Sequence, residues 1–279
     1  MKHINNTYIL AILISSVGIL STMMFTSCGG DDDNNTATSP SGKIVDGHEY
    51  VDLGLSVKWA TCNVGANNPW ETGDYFAWGE TEPKTEYSWA TYKWSYGMTS
   101  TLTKYCFNSE YGIVDNKETL ELDDDAAYVN WGSKWRIPTD EEWLELYDNC
   151  FFREAYNDVG SPIGYYVFKA KTESDKGVQQ SSFTNPTTEE GKKRFHSPEA
   201  TYNLSDTHIF IPFAGRITGT TLDETNMGHY WSSTLSYEHN DHSLKSCITA
   251  KHTEMSSSVN PHDPDTRSRG YSIRAVYRE

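Results

Sequence analysis

The 279-residue sequence is short of basic residues and of apolar stretches. It holds 23 Lys and Arg against 39 Asp and Glu, with a formal net charge of −16 and a mean hydropathy of −0.65. A field of that sign repels phosphate groups, so we expect no nucleic acid as a partner. A protein with several membrane spans is also excluded, because a long apolar run occurs only at residues 8–25.

Signatures of catalysis are missing as well. There is no Gly-x-Ser-x-Gly, His-Glu-x-x-His, Walker or dinucleotide-binding motif. The five cysteines include no Cys-x-x-Cys pair, so neither a thioredoxin-type site nor a thiolate zinc site is expected. The paired carboxylates of a hydrolase need a set separation in space, which a sequence does not show. We therefore expect a protein without catalysis or cofactor, with a secreted carboxylate-based hydrolase as a less favoured alternative.

Aromatic residues, in contrast, are abundant. They make up 13% of the chain, with 9 Trp and 18 Tyr. Disordered chains are poor in such rings and cannot bury enough apolar surface to fold. Most of this chain should therefore fold, into one or two domains.

The N-terminus reads as an export signal. Lys2 and His3 precede the apolar run 8–25, and small residues follow directly before Cys28. This ending resembles the lipobox of bacterial lipoproteins, which implies that residues 1–27 are a signal peptide removed before Cys28 and that Cys28 is acylated. A plain cleaved signal and an uncleaved membrane span are the alternatives.

Residues 28–43 are polar and rich in turn formers, which predicts a flexible acidic tether. The acidic run Asp31–Asp33 resembles the surface-export signal of Bacteroidota lipoproteins. That resemblance implies a protein anchored to the outer membrane and facing the cell exterior. Contact with the membrane would then be through the lipid anchor only.

Residues 44–279 are expected to form a single domain. Alternating apolar and polar positions predict a hairpin of Tyr50–Leu55 and Val57–Val64. A helix is predicted after Thr139, whose hydroxyl caps it while Glu142 completes a capping box. The apolar face of that helix consists of Trp143, Leu146, Tyr147 and Cys150. A shorter helical turn is predicted over 123–129.

The second half of the domain reads mainly as strands. Five are predicted, at Gly164–Lys171, His208–Phe213, Tyr230–Thr234, Ser243–Thr249 and Gly270–Tyr277. Residues 172–207 read as a long polar insertion. Few helices with many strands that do not alternate as βαβ predict an α+β fold with a mainly antiparallel twisted sheet and long loops.

Four cysteines remain once Cys28 is assigned to lipid. They are Cys62, Cys106, Cys150 and Cys247. In an exported chain they can form one or two structural disulfides, in any of three pairings, or stay as buried thiols.

Eight sequence blocks occur in order along the domain. They are EYVDLGL (49–55), WATCNVGA (59–66), GDYFAWGE (73–80), DDAA (124–127), WRIPT (135–139), EW (142–143), YWSS (230–233) and SIRAV (272–276). This series resembles the Fibrobacter succinogenes major paralogous domain family over about residues 49–278. The resemblance implies a C-type-lectin-like fold in a surface or secreted module with no assigned ligand.

The aromatic residues fall into two groups. Those within the blocks suit packing, and we assign structural roles to Trp59, Trp78, Trp135, Arg136, Pro138, Thr139, Glu142, Trp143 and Trp231. The stretch from Gly65 to Asn130 has no sustained periodicity. Within it, five rings are predicted to stack on a sugar or on partner side chains: Trp70, Trp89, Tyr92, Trp94 and Tyr96.

Metal sites are not expected. Calcium-dependent sugar binding of the lectin type is disfavoured, because Lys84 in Glu82-Pro83-Lys84 places a cation where an oxygen ligand is needed. The acidic run Asp123–Asp125 suits a helix N-terminus better than a cation site. A segment with His239 and His242, near His229 and His252, offers transition-metal ligands but reads as a solvated turn.

Residues 135–143 are also similar to a stretch of the formylglycine-generating enzymes, which bind copper through two closely spaced cysteines. Cys247 stands alone near the C-terminus, so that catalytic motif is missing. The sequence therefore predicts a surface binding module for an unidentified glycan or protein ligand, with a structural or assembly subunit of a surface apparatus as the alternative.

Overall fold

A computed structural model describes residues 42–181, 194–236, 249–255 and 259–279. The protein is mostly sheet, with 35% strand, 13% helix and a curled antiparallel half-barrel sheet. This agrees with the predicted α+β class. None of the helices within the described ranges is long and apolar enough to cross a membrane. The predicted signal peptide, Cys28 and the tether up to residue 41 lie outside these ranges.

The strands are β1 (Lys43–Val45), β2 (His48–Val51), β3 (Lys58–Asn63), β4 (Trp135–Arg136), β5 (Cys150–Tyr156), β6 (Pro162–Lys169), β7 (Gln179–Gln180), β8 (His208–Pro212), β9 (Arg216–Thr218), β10 (Thr221–Asp223), β11 (Gly228–Leu235), β12 (Thr249–Met255), β13 (Val259–Thr266) and β14 (Arg274–Tyr277). The α-helices are α1 (Ala126–Trp131) and α2 (Asp140–Asn149), and 3₁₀ turns occur at Trp89–Thr91, Leu122–Asp124 and Glu173–Asp175.

A five-stranded sheet joins the two ends of the described chain. Its order is β1-β2-β3-β14-β4, and every neighbouring pair is antiparallel. The last strand therefore lies between β3, from the start of the domain, and β4, from its middle. The start and the end of the domain depend on each other for their backbone hydrogen bonds.

The predicted first hairpin is confirmed, with Tyr50 opposite Ala60. Strand β1 was not predicted, and it begins at Lys43, inside the segment 28–43 that was read as tether. A tight turn at Asp46 and Gly47 connects it to β2, and both residues have positive φ, 50° and 86°. Asp-Gly is a strong hairpin signal because this turn needs two positive φ angles.

Helix α2 begins as predicted. Thr139 Oγ1 accepts a hydrogen bond from Glu142 N (3.2 Å), and Thr139 N donates to Glu142 Oε2 (2.9 Å). Arg136 Nη1 donates to the same carboxylate at 2.7 Å. The WRIPT block therefore joins strand β4 to the helix start through side-chain contacts.

The tryptophans assigned to packing are all buried: Trp59, Trp78, Trp135, Trp143 and Trp231. One cluster of core residues packs the inner face of α2 against β3, β6 and β8, with the Trp59 and Trp143 ring centroids 4.7 Å apart. A second cluster contains Trp78, Trp135 and Trp231, and there Trp231 stacks on Tyr271 at 4.1 Å. These two clusters hold the sheets and helices together.

A second sheet has the order β7-β5-β6-β8. Strands β6 and β8 match predicted strands, but β5 was missed, because Cys150 fits the apolar face of the preceding helix equally well. The chain passes from α2 into β5 with no Gly or Pro between them. Strand β7 pairs with β5 in parallel.

The predicted insertion 172–207 is only partly peripheral. In its described parts, 172–181 and 194–207, Asp175 is buried and accepts hydrogen bonds from Ala200 N (3.1 Å) and Tyr202 OH (2.9 Å). The Tyr202 ring packs on Phe151 with a centroid distance of 4.4 Å. Both ends of the insertion are therefore fastened to the second sheet.

The last sheet has the order β11-β12-β13. Strand β11 contains the predicted Tyr230–Thr234. Of the predicted strand Ser243–Thr249, only Thr249 falls within the described residues, and it begins β12. The hairpin of β9 and β10 and the strand β13 were not predicted.

For the cysteines within the described ranges, the structure favours thiols over disulfides. Cys62 and Cys150 are free thiols, the first half-buried and the second buried. Cys106 is also buried, and Cys247 lies outside the described ranges. A disulfide between Cys62 and Cys150, one of the predicted options, is not formed.

Candidate ligand-binding site

The irregular segment between β3 and α1 contains a small folded lobe, residues 95–113, which we call the loop lobe. Three extended pieces of backbone pair there, since Ser95 bridges to Leu102 and Leu102 bridges to Gly112. Tyr96 N donates to Thr101 O (3.3 Å), and Ile113 N donates to Leu102 O (2.8 Å). The lobe is therefore held by backbone hydrogen bonds although it contains no long strand.

The loop lobe has a buried side and an exposed side. Leu102 and Cys106 are buried and pack with Trp89 and Phe107. Side chains alternate along an extended chain, so the residues next to these bridges point the other way. Tyr96 and Ile113, each next to a bridge residue, are 79% and 61% exposed, and Met98, in the turn between Ser95 and Leu102, is 58% exposed. We call these three residues the Tyr96 face.

The stretch that carries Tyr96 and Met98 is uncharged and rich in hydroxyl groups. Residues 95–103 read SYGMTSTLT, with three Thr, two Ser and no Asp, Glu, Lys, Arg or His. In a chain with a net charge of −16, such a stretch favours a neutral ligand with hydrogen-bonding groups over an ionic one.

Of the five rings predicted to bind ligand, Tyr92 is buried. It is 2% exposed, and its hydroxyl donates to Trp78 O at 2.7 Å. Trp89 is half-buried and packs edge-on against Tyr92 at 5.4 Å. These two rings support the loops and do not present an open face.

Trp94 is half-buried and serves as a platform for the protein's own cations. Its Nε1 donates to Gly79 O at 2.7 Å. The ammonium groups of Lys93 and Lys104 lie 4.4 Å and 4.9 Å from its ring centroid, within the range of cation–π attraction. The Trp94 ring is therefore already in contact with two ammonium groups of the protein.

Trp70 and Tyr96 are the predicted ligand-binding rings that the structure exposes, at 52% and 79%. Trp70 lies on a separate loop that Glu71 fastens by accepting hydrogen bonds from Asn67 N (2.8 Å) and Asn68 Nδ2 (2.8 Å). Tyr96 lies on the loop lobe beside Met98, another exposed apolar residue.

A strained tyrosine within the loop lobe connects it to the core. Tyr105 is buried and has φ of 59°, an unfavourable conformation for a bulky residue. Its hydroxyl donates to Asp124 Oδ2 (2.6 Å), and its carbonyl accepts from Arg267 Nη1 (2.9 Å). Burial, followed by the hydrogen bond to Asp124, raises the pKa of Tyr105 well above its ordinary value. This network fastens the loop lobe to Asp124 and Arg267.

A cleft of about 380 Å³ lies next to this network, and we call it the polar cleft. It is lined by Glu80, Thr81, Glu82, Pro83, Lys84 and Lys93. Glu80 Oε1 accepts hydrogen bonds from Lys84 Nζ (2.8 Å) and from Lys93 N (2.8 Å). Lys84 Nζ also donates to Thr91 O at 3.1 Å. Sequence reasoning singled out residues 82–84 only to disfavour calcium and did not predict this cleft.

Within the acidic run 123–125, Asp124 and Asp125 are buried, whereas Asp123 is exposed. Asp125 caps α1, accepting from Ala127 N (2.9 Å) and Tyr128 N (3.1 Å), and its other oxygen accepts from Ile137 N (2.8 Å). This agrees with a helix N-terminus rather than a cation site.

The histidines proposed as transition-metal ligands lie only partly within the described residues. Within the described ranges, no three His, Cys, Asp or Glu side chains lie together as a metal site requires. The segment with His239 and His242 lies outside those ranges, as does the side chain of His252. His229 is buried, with Nε2 2.8 Å from Glu224 Oε2.

The chain matches no known family model, no curated protein and no solved structure in the comparisons made. The resemblance to the major paralogous domain family therefore remains a prediction from the sequence blocks.

Proposed function

We propose that this protein is an outer-membrane lipoprotein, anchored through Cys28 and facing the cell exterior, whose domain binds a glycan without catalysis. The lipobox-like start, the polar tether and the acidic run behind Cys28 support the location. The proposed fold is C-type-lectin-like. The eight blocks support it, and the curled antiparallel sheet with few helices is compatible with it.

The observation that carries the binding function is the Tyr96 face. Tyr96 is 79% exposed on a lobe that is held by backbone hydrogen bonds and also carries the exposed apolar residues Met98 and Ile113. Exposed apolar residues grouped on one lobe and flanked by polar residues suit an interaction site. The apolar face of a sugar ring can be buried against the tyrosine ring. Hydroxyl groups of residues 95–103 can bond the edge of the sugar.

The same surface supports binding without chemistry. General acid–base catalysis needs a positioned group that gives or takes a proton near the operating pH. Residues 95–103 supply Ser, Thr and Tyr hydroxyls but no carboxylate, imidazole or amine. A ligand on this face would be held by stacking and neutral hydrogen bonds.

A glycan array tests the proposal. The full-length protein, purified in detergent, is screened against neutral and acidic glycans, together with Tyr96→Ala and the control Tyr156→Ala, which removes an exposed ring from β5. We expect saturable binding that Tyr96→Ala abolishes and Tyr156→Ala keeps. Folded protein that binds no glycan, or equal binding by all three proteins, would contradict it. Capture of a single outer-membrane protein instead would favour the assembly alternative.

A further inference from the structure

Lys93 lines the polar cleft, and its ammonium group has hydrogen-bond donors to spare. The Lys93 side chain is 47% exposed, and its nearest carboxylate oxygen, on Asp124, is 3.6 Å away, beyond hydrogen-bond distance. Asp124 is already bonded to Lys104 and Tyr105. Contact with the Trp94 ring fixes the position of the Lys93 ammonium. An ammonium carries three donors, so Lys93 can bond a ligand in the cleft.

Glu80 supplies a hydrogen-bond acceptor in the same cleft. Its side chain is 9% exposed, and the two hydrogen bonds that it accepts from Lys84 and Lys93 both go to Oε1. Its Oε2 accepts no hydrogen bond from the residues that the structure describes. A carboxylate oxygen can accept two, so Glu80 offers an acceptor at the wall of the cleft. Glu82, exposed on the same wall, adds a second carboxylate.

Charges in the cleft balance. The residues that line it include two carboxylates, Glu80 and Glu82, and two lysines, Lys84 and Lys93, while the whole chain is strongly acidic. An anion would be repelled by the field of the protein, whereas a cation would meet two lysines. The donors and acceptors that line the cleft therefore suit an uncharged ligand group that both donates and accepts hydrogen bonds. The volume of about 380 Å³ lies at the small end of ligand pockets, about 300–1,000 Å³, which suits one sugar unit.

We infer that the polar cleft binds neighbouring hydroxyl groups of a neutral sugar, with Lys93 donating to one oxygen and Glu80 accepting from the other hydroxyl. The inference rests on the proposed glycan binding and names the chemical group recognised. Lys93 and Tyr96 are three residues apart, so their Cα atoms lie within about 11 Å of each other. That distance is within the reach of a short oligosaccharide, so we expect one ligand to contact both the cleft and the Tyr96 face.

The test uses neutral oligosaccharides of glucose, galactose, mannose and xylose, with oligogalacturonate as the acidic probe. Titration calorimetry on the full-length protein in detergent gives Kd for each. Lys93→Met keeps the apolar stem over Trp94 and removes the donors, while Lys176→Met removes a lysine paired with Glu173 far along the chain. We expect Lys93→Met and Glu80→Gln to weaken binding of a neutral oligosaccharide about tenfold or more. Lys176→Met should leave Kd unchanged.

Three results would overturn the inference, and each points to a different error. If Lys93→Met and Glu80→Gln bind as wild type while Tyr96→Ala does not, the cleft is not a sugar site, but the proposed function stands. If oligogalacturonate binds best and added salt weakens it, the ligand class is wrong. If no probe binds, the proposed function falls as well. Lys93 is exposed and makes no close ion pair, so Lys93→Met reports on binding even where Glu80→Gln affects folding.

Discussion

The Lys93 ammonium lies 4.4 Å from the centroid of the Trp94 ring. The ring that was predicted to stack on a ligand therefore stacks on a cation of the protein itself. This contact brings Lys93 to the wall of the polar cleft, while Trp94 Nε1 fastens the ring to Gly79 O. In the site that we infer, Trp94 would position Lys93 instead of contacting the ligand directly.

Trp143→Ala should lower the free energy of unfolding by about 3–5 kcal/mol. Trp143 is buried, packs against Trp59 at 4.7 Å and donates from Nε1 to Trp231 O at 3.3 Å. Removing the ring leaves a cavity between α2 and the sheets. Urea denaturation measures the change. Trp70→Ala, which removes a ring that is 52% exposed, should shift stability by no more than about 0.5 kcal/mol. Equal effects of the two substitutions on stability would show that Trp143 is not packed in the core.

Stability should fall as the pH is lowered through about 6.5, the ordinary pKa of histidine. Burial lowers the pKa of His208, whose Nδ1 donates to Asp206 O at 2.8 Å. Because the folded pKa lies below the unfolded one, the unfolded chain binds a proton first, and acid favours unfolding between the two values. Burial lowers the pKa of His229 in the same way.

Urea denaturation at about pH 7.5 and about pH 5.5, on either side of that pKa, measures this dependence. His208→Gln should reduce the loss of stability between the two conditions. Replacing the exposed His196 by Gln should leave the loss as in wild type. An undiminished loss in His208→Gln would argue against a buried neutral imidazole at this position.

Cys62 should react with iodoacetamide in the native protein much faster than Cys150. Cys62 is half-buried, whereas Cys150 is buried, and burial raises the pKa of its thiol well above the ordinary value. Alkylation needs an accessible thiolate, so both factors protect Cys150. Peptide mass spectrometry after short labelling gives the two rates, and labelling in urea should remove the difference. Recovery of either residue in a disulfide under non-reducing conditions would contradict the thiol assignment.

Cys28→Ala should abolish acylation and leave the domain folded. The proposed lipid site lies fourteen residues before Gly42, the first residue that the structure describes. Labelling of cells with a fatty-acid analogue measures acylation, and protease treatment of intact cells reports exposure on the surface. A Cys28→Ala protein that is still labelled would refute the anchor. Wild type that resists external protease until the outer membrane is opened would argue for the periplasmic face.

The parts of the fold that were predicted correctly carry local signals. The capping box of Thr139 and Glu142 specifies the start of α2 through contacts three residues apart, and alternation marks β2 and β3. Short runs rich in aromatic and β-branched residues mark β6 and β8. Strand β13 was missed because its sequence, VNPHDPDT, has two prolines and no apolar alternation. It pairs with β12 along its length, so its partner strand determines its structure.

The site was harder to predict, because exposure depends on neighbours that are distant in sequence. Tyr92, Trp94 and Tyr96 look alike in the sequence, yet Tyr92 is buried and bonds Trp78, Trp94 meets two lysines, and only Tyr96 is left largely open. The burial of Asp124 under Lys104 and Tyr105 likewise joins residues about twenty positions apart. No local pattern encodes such contacts.

The central claim is that a glycan lies on the Tyr96 face. A crystal structure of the protein with its best array ligand tests this most directly. The account predicts a sugar ring packed against the ring of Tyr96, with its neighbouring unit reaching toward Lys93 in the polar cleft. A sugar bound at Trp70 or elsewhere, with Tyr96 still open to solvent, would contradict it.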